Sequence, residues 1–218
     1  MTRLHKNKQY LKNMDWTVEK IRQEMTDGLA LLNSIDKPIV TVFGGHKVKK
    51  GSADYEHCKK LAFELGKKGY AIVSGGGPGI MQAANEGAML AGAPSIGIKA
   101  SLLKNERAPD KNFTHKMGCY FMFIRRFLLS IKSEALVFYP GGFGTLNEMF
   151  EYATLIKTGM TDKVPMVCVN KEFWQGLFMW IEDKLLKNNL LTSHKKWDLD
   201  VFHVVDSHED IVRIICRK

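Results

Sequence analysis

Ala135-Leu136-Val137-Phe138-Tyr139-Pro140-Gly141-Gly142-Phe143-Gly144-Thr145-Leu146-Asn147-Glu148 is the stretch from which the fold can be read. The first five residues form an apolar run, as expected of a strand buried on both faces. Glycines at 141, 142 and 144 then make a tight turn, and Met149-Phe150-Glu151-Tyr152-Ala153 continues with a helical pattern. A strand, a glycine turn and a helix start leave free backbone amides pointing into the turn, where an anion is favoured. Glu148 has two readings from its position: an acid that stabilises the first turn of a helix, or a catalytic acid beside a bound phosphate.

The same unit recurs on either side. Pro38-Ile39-Val40-Thr41-Val42-Phe43 ends in Gly44-Gly45-His46, and Tyr55, Cys58, Leu61, Ala62 and Leu65 follow at helical spacing. Gly69-Tyr70-Ala71-Ile72-Val73-Ser74 leads through Gly75-Gly76-Gly77-Pro78-Gly79-Ile80-Met81 into an alanine-rich helix from Gln82 to Ala91. Pro94-Ser95-Ile96-Gly97-Ile98-Lys99 is a third run, followed by a polar loop through Asp110-Lys111-Asn112 and a helical pattern from Tyr120 to Ile131 that carries Arg125 and Arg126. After the opening stretch come a strand at Val164-Pro165-Met166-Val167-Cys168-Val169 and a helix with Trp174, Leu177, Phe178, Ile181 and Leu185 on one face. Val201-Phe202-His203-Val204-Val205 and the pattern Ile211, Ile214, Ile215 close the series as strand and helix. Alternation of this kind predicts an α/β fold: a Rossmann-like, doubly wound parallel sheet with helices on both faces, formed by residues 37–218 as a single domain. Ile21, Met25, Leu29 and Leu32 predict an amphipathic helix before it, so residues 1–36 are expected to be a helical extension with no evident chemistry.

Bulk properties narrow the partners. The chain has 218 residues, enough for one sizeable core, with 45% hydrophobic and 25% charged residues, as in an ordinary soluble protein. No apolar run approaches the roughly 20 residues that cross a bilayer, and the basic start Met1-Thr2-Arg3-Leu4-His5-Lys6-Asn7-Lys8 is not followed by a signal core, so a cytoplasmic protein is expected. A net charge of +9 favours anionic partners without choosing among them. The basic spots Lys47-Val48-Lys49-Lys50 and Lys195-Lys196 are too short to make a nucleic-acid stripe, although the first adjoins a glycine turn and could attract an anion. Cys58, Cys119, Cys168 and Cys216 have no zinc or thiol-exchange spacing and are expected to be small buried hydrophobes.

Ligands in such sheets sit at the carboxyl ends of the strands, and the turns at Gly44-Gly45, Gly75 to Gly79 and Gly141 to Gly144 occupy equivalent places in successive units. Together they point to a phosphate or nucleotide site. The dinucleotide fingerprint fails, because Ile80 stands at the third glycine position and no acid ends the next strand; there is no triphosphate-binding loop with its lysine either. A mononucleotide fits better. His46, His57, His115, His194, His203 and His208 show no metal-ligand spacing, and Ser74 and Ser130 lack a nucleophile elbow, so neither a metal nor a serine hydrolase is expected.

The combination of Gly75-Gly76-Gly77-Pro78-Gly79-Ile80-Met81, Met122-Phe123-Ile124-Arg125-Arg126 and Pro140-Gly141-Gly142-Phe143-Gly144-Thr145-Leu146-Asn147-Glu148 resembles the Lonely Guy (LOG) family, whose older label is that of a lysine decarboxylase. The resemblance spans roughly Pro38 to Trp180. It matches P-G-G-x-G-T-x-x-E at every fixed position, departs by Arg126 where lysine is usual, and lacks the serine common after the first strand in plant members. It implies a hydrolase acting on an N-glycosyl bond, a phosphoribohydrolase that splits a nucleoside 5′-monophosphate, AMP-like or a cytokinin nucleotide, into free base and ribose 5-phosphate without a cofactor. By the same resemblance Arg125 and Glu148 are catalytic, while the strand-turn-helix geometry leads to the expectation that Gly141, Gly142, Gly144 and Thr145 hold the phosphate. Gly44, Gly45, Gly75, Gly76, Gly77, Met122 and Arg126 line the nucleotide, Phe121 or Met122 packing on the base. A homo-oligomer built on a dimer is implied as well, with the apolar helix around Phe121 to Ile131 at its contact. Because relatives of this fold resemble molybdenum-cofactor carriers and nucleotide sensors, a non-catalytic nucleotide- or molybdenum-cofactor-binding protein is the alternative.

Overall fold

The computed structural model describes residues 7–103, 108–191 and 200–216. Its seven strands are β1 (Ile39–Phe43), β2 (Ala71–Ser74), β3 (Ser95–Ala100), β4 (His115–Cys119), β5 (Ser133–Phe138), β6 (Met166–Val169) and β7 (Phe202–Val205). They form one sheet in the order β4-β3-β2-β1-β5-β6-β7, and each neighbouring pair is parallel. The helices are α1 (Asn7–Lys12), α2 (Met14–Asn33), α3 (Ala53–Lys67), α4 (Ile80–Ala91), α5 (Met122–Ser130), α6 (Phe143–Lys157), α7 (Lys171–Trp180) and α8 (His208–Ile215), with a π-helical continuation of α7 over Ile181–Leu186.

The strand pleat divides the core in two. Ile39 and Phe43 of β1 and Leu136 and Phe138 of β5 face α2, α5, α6 and α7, where Leu32, Leu128, Met149, Tyr152 and Trp174 are buried. Val40, Val42, Ala135 and Val137 point the other way, onto α3, α4 and α8 with Tyr55, Leu61, Ile80 and Ile211. Alternating side chains are thus apolar on both faces, which explains why the strands read as continuous hydrophobic runs. The small residues of α4 serve contact with α3: a Cβ on Gly87 would stand 2.1 Å from the Lys59 carbonyl oxygen. The expected doubly wound sheet is present.

Three expectations are corrected. His115-Lys116-Met117-Gly118-Cys119, which lies between the polar loop and the helical pattern and shows no strand period, is the edge strand β4; its pattern is masked by a glycine and two exposed or half-exposed polar residues that an edge tolerates. Cys216 is exposed, whereas Cys58, Cys119 and Cys168 are buried, and burial pushes the Cys119 and Cys168 thiols up to about 12. Third, α6 starts earlier than the apolar pattern indicates, at Phe143. The Lys195-Lys196 spot and His194 lie outside the described residues. No helix among the described residues is long and apolar enough to cross a membrane.

Candidate active site

Strands β2, β3 and β4 are laid down on one side of β1, and β5, β6 and β7 on the other, so the order reverses between β1 and β5. A crevice opens where two connections diverge in this way, at the carboxyl ends of the strands. The turns meet there through their backbones. Gly45 N–H donates to the Pro140 carbonyl at 2.9 Å, and Ile80 N–H donates to the Gly45 carbonyl at 3.2 Å, which joins the turns after β1, β2 and β5 around one cleft of about 710 Å³.

The turn after β5 is built for close approach. A Cβ on Gly141 would fall 2.1 Å from Thr145 Oγ1, so only glycine lets that hydroxyl tuck against the turn. Gly142 precedes α6, and the first helical bond runs from Leu146 N–H to its carbonyl at 3.1 Å. The amides of Phe143, Gly144 and Thr145 therefore have no helical acceptor and converge on the cleft, and the first turn of α6 carries no acid to compete with an anion. Lys47, on the rim beside Gly45, adds positive charge.

Because α6 begins at Phe143, Glu148 is in its second turn, beyond the first-turn positions where an acid stabilises a helix by its charge. The capping reading of Glu148 falls on this geometry. The residue is 9% exposed and its side chain lines the cleft floor, where Arg125 Nη1 lies 3.4 Å from Oε1. Arg125 is held from two further sides, by Nε donating to the Ile98 carbonyl at 2.8 Å and Nη2 donating to the Gly75 carbonyl at 3.3 Å. A Cβ on Gly75 would stand 1.9 Å from Nη2, so the glycine clears the path by which the guanidinium reaches the cleft.

Burial pushes the Glu148 carboxyl up to about 7, although the Arg125 and Arg126 charges and the Arg125 hydrogen bond pull it down. A single 3.4 Å contact is not the bidentate pairing that repays desolvation, so the penalty outweighs the attraction. The result is a carboxylate poised near neutrality beside a permanent cation.

Gly44, Gly45, Gly75, Gly77, Met122, Gly141, Gly142, Gly144 and Thr145 all line this cleft with Arg125 and Glu148. Gly76 and Arg126 do not. Gly76 adopts φ +67° and turns toward Lys99, its amide donating to Ser74 Oγ at 3.0 Å. Arg126 pairs with Glu151 on α6, and Tyr152 Oη donates to the Arg126 carbonyl at 2.5 Å, so these groups fasten α5 to α6 outside the cleft. Phe121 is also withdrawn, buried in an aromatic cluster with its ring centroid 5.5 Å from that of Tyr10 and 5.1 Å from that of Tyr120. His46, Leu103 and Phe143 line the cleft without having been singled out for it. Phe143 is 93% exposed, and its place as the variable residue between two glycines gave no signal beyond its size. Ser74, which lacks a nucleophile elbow in the sequence, is buried and committed to Asn85 and the Gly76 amide.

A second concavity, of about 480 Å³, lies around Lys132, Glu134, Asp162 and Lys163. It contains no glycine turn and no convergent helix amides, and so lacks the anion-binding parts of the first. Among the described residues no group of three or more histidine, cysteine or acidic side chains is arranged to hold a metal ion.

With this geometry established, comparison with known proteins gives the lineage. The family described as "Possible lysine decarboxylase" matches residues 81–215. The chain belongs to this family, the LOG family. The cytokinin riboside 5′-monophosphate phosphoribohydrolase of Mycobacterium tuberculosis is 30% identical over 132 residues, covering 58% of this chain and 70% of that protein. The "probable cytokinin riboside 5′-monophosphate phosphoribohydrolase LOGL6" of Oryza sativa is 25% identical over 175 residues, 78% of this chain and 68% of that protein. Among solved structures, the molybdenum cofactor binding protein of Rippkaea orientalis superposes with a TM-score of 0.62 at 19% identity, over 84% of this chain and 97% of that one, which shows a shared fold. The LOG-family match begins at Met81 and runs to Ile215, so it includes α5, the turn after β5 and α6, and extends past Trp180 through α8.

Proposed function

We propose that this LOG-family chain is a phosphoribohydrolase that cleaves the N-glycosidic bond of a nucleoside 5′-monophosphate to free base and ribose 5-phosphate. The observation that carries the reading is the buried Arg125–Glu148 pair on the floor of a cleft whose wall is the amino end of α6. The 5′-phosphate binds the amides of Phe143, Gly144 and Thr145, and Thr145 Oγ1 completes the cradle. This places the sugar toward Glu148. As the bond from C1′ to the base breaks, positive charge develops on the sugar ring, and the Glu148 carboxylate stabilises it while orienting and deprotonating the attacking water. The water oxygen bonds to C1′, and the base departs with the electron pair of the broken bond and takes up a proton. Arg125, held by the Ile98 and Gly75 carbonyls, offsets part of the burial penalty on the Glu148 carboxylate and offers a fixed fork to the departing base. Met122 at the cleft edge packs on that base.

The family's descriptive label asks for a different chemistry. Lysine decarboxylation needs pyridoxal phosphate on a Schiff-base lysine, with an acid for the ring nitrogen. Lys47 is the lysine lining the cleft, exposed at its rim, and the buried acid is already matched to Arg125, so these residues do not fit that cofactor. The second reading is a non-catalytic nucleotide or molybdenum-cofactor binder, favoured by the shared fold alone. A carboxylate held at the floor of an anion site repels such a ligand and has no use in pure binding, which supports the hydrolase. Incubation with AMP, GMP, CMP, UMP and a cytokinin riboside 5′-monophosphate, with free base measured by chromatography, tests the proposal. Base release from one or more is expected; nucleotide binding with no release from any would leave the binder. We further propose that residues 37–218 are the catalytic domain with residues 1–36 as its extension, and that the chain works in the cytoplasm. Its copies pair through Phe123, Phe127 and Ile131, which are exposed along one face of α5; a monomeric solution mass would reject that pairing.

A further inference from the structure

Glu24 lies on α2, in the extension to which the sequence assigns no chemistry, yet it is only 3% exposed. A carboxylate buried to that degree requires partners. It finds them at the start of α5: Oε1 accepts from Tyr120 N–H at 2.7 Å, and Oε2 accepts from Phe121 N–H at 3.2 Å. Lys20 Nζ stands 3.4 Å from Oε1 and balances the charge. Phe121 immediately precedes α5, and its own carbonyl accepts from Arg125 N–H at 3.2 Å. Glu24 is therefore joined to the Arg125 backbone through one residue and two hydrogen bonds.

The rest of α2 reinforces this contact. At Gly28 a Cβ would stand 2.2 Å from Leu128 Cδ1, so the glycine leaves room for the Leu128 side chain to pack against α2. Lys132, just past α5, donates from Nζ to the Leu32 and Ile35 carbonyls at 2.9 and 2.6 Å and thereby satisfies the carboxyl end of α2. Contacts at both ends and in the middle make α2 a splint along α5.

We propose that Glu24 is a positioning residue for the reaction: it fixes the first turn of α5 so that Arg125 stays against Glu148. The catalytic consequence rests on the hydrolase reading above, while the positioning itself can be measured without substrate. The attraction between the pair changes steeply with distance, so a displacement of Arg125 by about 1.5 Å, at an effective dielectric of about 20, raises the Glu148 titration midpoint by about one pH unit.

The test is a carboxyl-carbon NMR titration of Glu148 in the full chain, its resonance assigned by loss in Glu148→Gln. It is made in the wild type, in Glu24→Gln, which presents an amide N–H to one of the backbone donors, and in Gly28→Ala, whose methyl presses on the Leu128 side chain of α5. The Glu148 midpoint is expected to rise by about one pH unit in Glu24→Gln and to rise also in Gly28→Ala. In parallel, kcat for the hydrolysed mononucleotide should fall about tenfold with KM held within about twofold. A midpoint unchanged in both variants, alongside a lowered Tm, overturns the proposal and leaves α2 as a source of stability only. Should Glu24→Gln fail to fold, Gly28→Ala decides by the same titration. A wild type that hydrolyses no nucleotide would sink the phosphoribohydrolase reading, and the titration would still decide the role of Glu24.

Discussion

Glu148→Gln should make the protein more stable as well as inactive, and the gain should depend on pH. Burial raises the carboxyl from 4.5 to about 7, so the folded state holds a proton over a range in which the unfolded chain has released it. Stability from this group is fully present below pH 4.5 and is lost as pH rises to about 7. With 1.36 kcal/mol for each tenfold change in proton affinity, the loss is about 3 kcal/mol above neutrality. Glutamine keeps the shape and cannot ionise, so it escapes that penalty. The variant should match the wild type near pH 4.5 and exceed it by about 3 kcal/mol at pH 8.5, or roughly 9 °C in Tm for a chain of this size. Urea and thermal unfolding of both proteins at several pH values between 4.5 and 8.5 measure the difference directly, because other titrating groups cancel. Turnover at pH 8.5 should fall at least about a hundredfold, as for other electrostatic catalytic groups. A stability difference that does not vary with pH would refute the burial argument; a variant less stable at pH 8.5 would show that the Arg125 attraction outweighs desolvation.

Other consequences follow from the same geometry. If the carboxylate is the working form, kcat/KM rises with pH through about 7 to a plateau, and a rate that instead falls over that range would make the protonated acid the catalyst. Gly141→Ala places a methyl 2.1 Å from Thr145 Oγ1 and should raise KM for a nucleotide about tenfold or more while erasing the preference over the nucleoside, as read by parallel kinetics on both. His57 accepts from Tyr139 Oη on Nδ1, because Nε2 must donate to the Asp206 carbonyl, and burial lowers its pKa below 6.5. Its contribution to stability is therefore present above pH 6.5 and lost as pH falls below it; His57→Gln should flatten that limb in urea unfolding between pH 7.5 and 5.

What the residues announce and what they hide differ by range. The doubly wound fold is legible because the buried strands are short apolar runs, three of them (β1, β2 and β5) leading into glycine turns, and the helices between them repeat apolar positions at helical period. β4 is not legible, since an edge strand need not be apolar on either face. The groups that line the cleft could be nominated from three glycine turns and a family signature. Gly76 and Arg126, in the same motifs, lie outside it, because the turn swings one peptide away and successive helix residues point about 100° apart. The sequence itself determined the layered architecture, the anion-binding turn and the presence of an acid after it, all of which depend on residues close in the chain. Only the tertiary structure decided that Glu148 sits in the second turn of α6, buried against an arginine from another helix, with Glu24 bracing that helix from 97 positions away. Burial and charge pairing between distant segments set a side chain's protonation, and those distances exist only once the chain has folded.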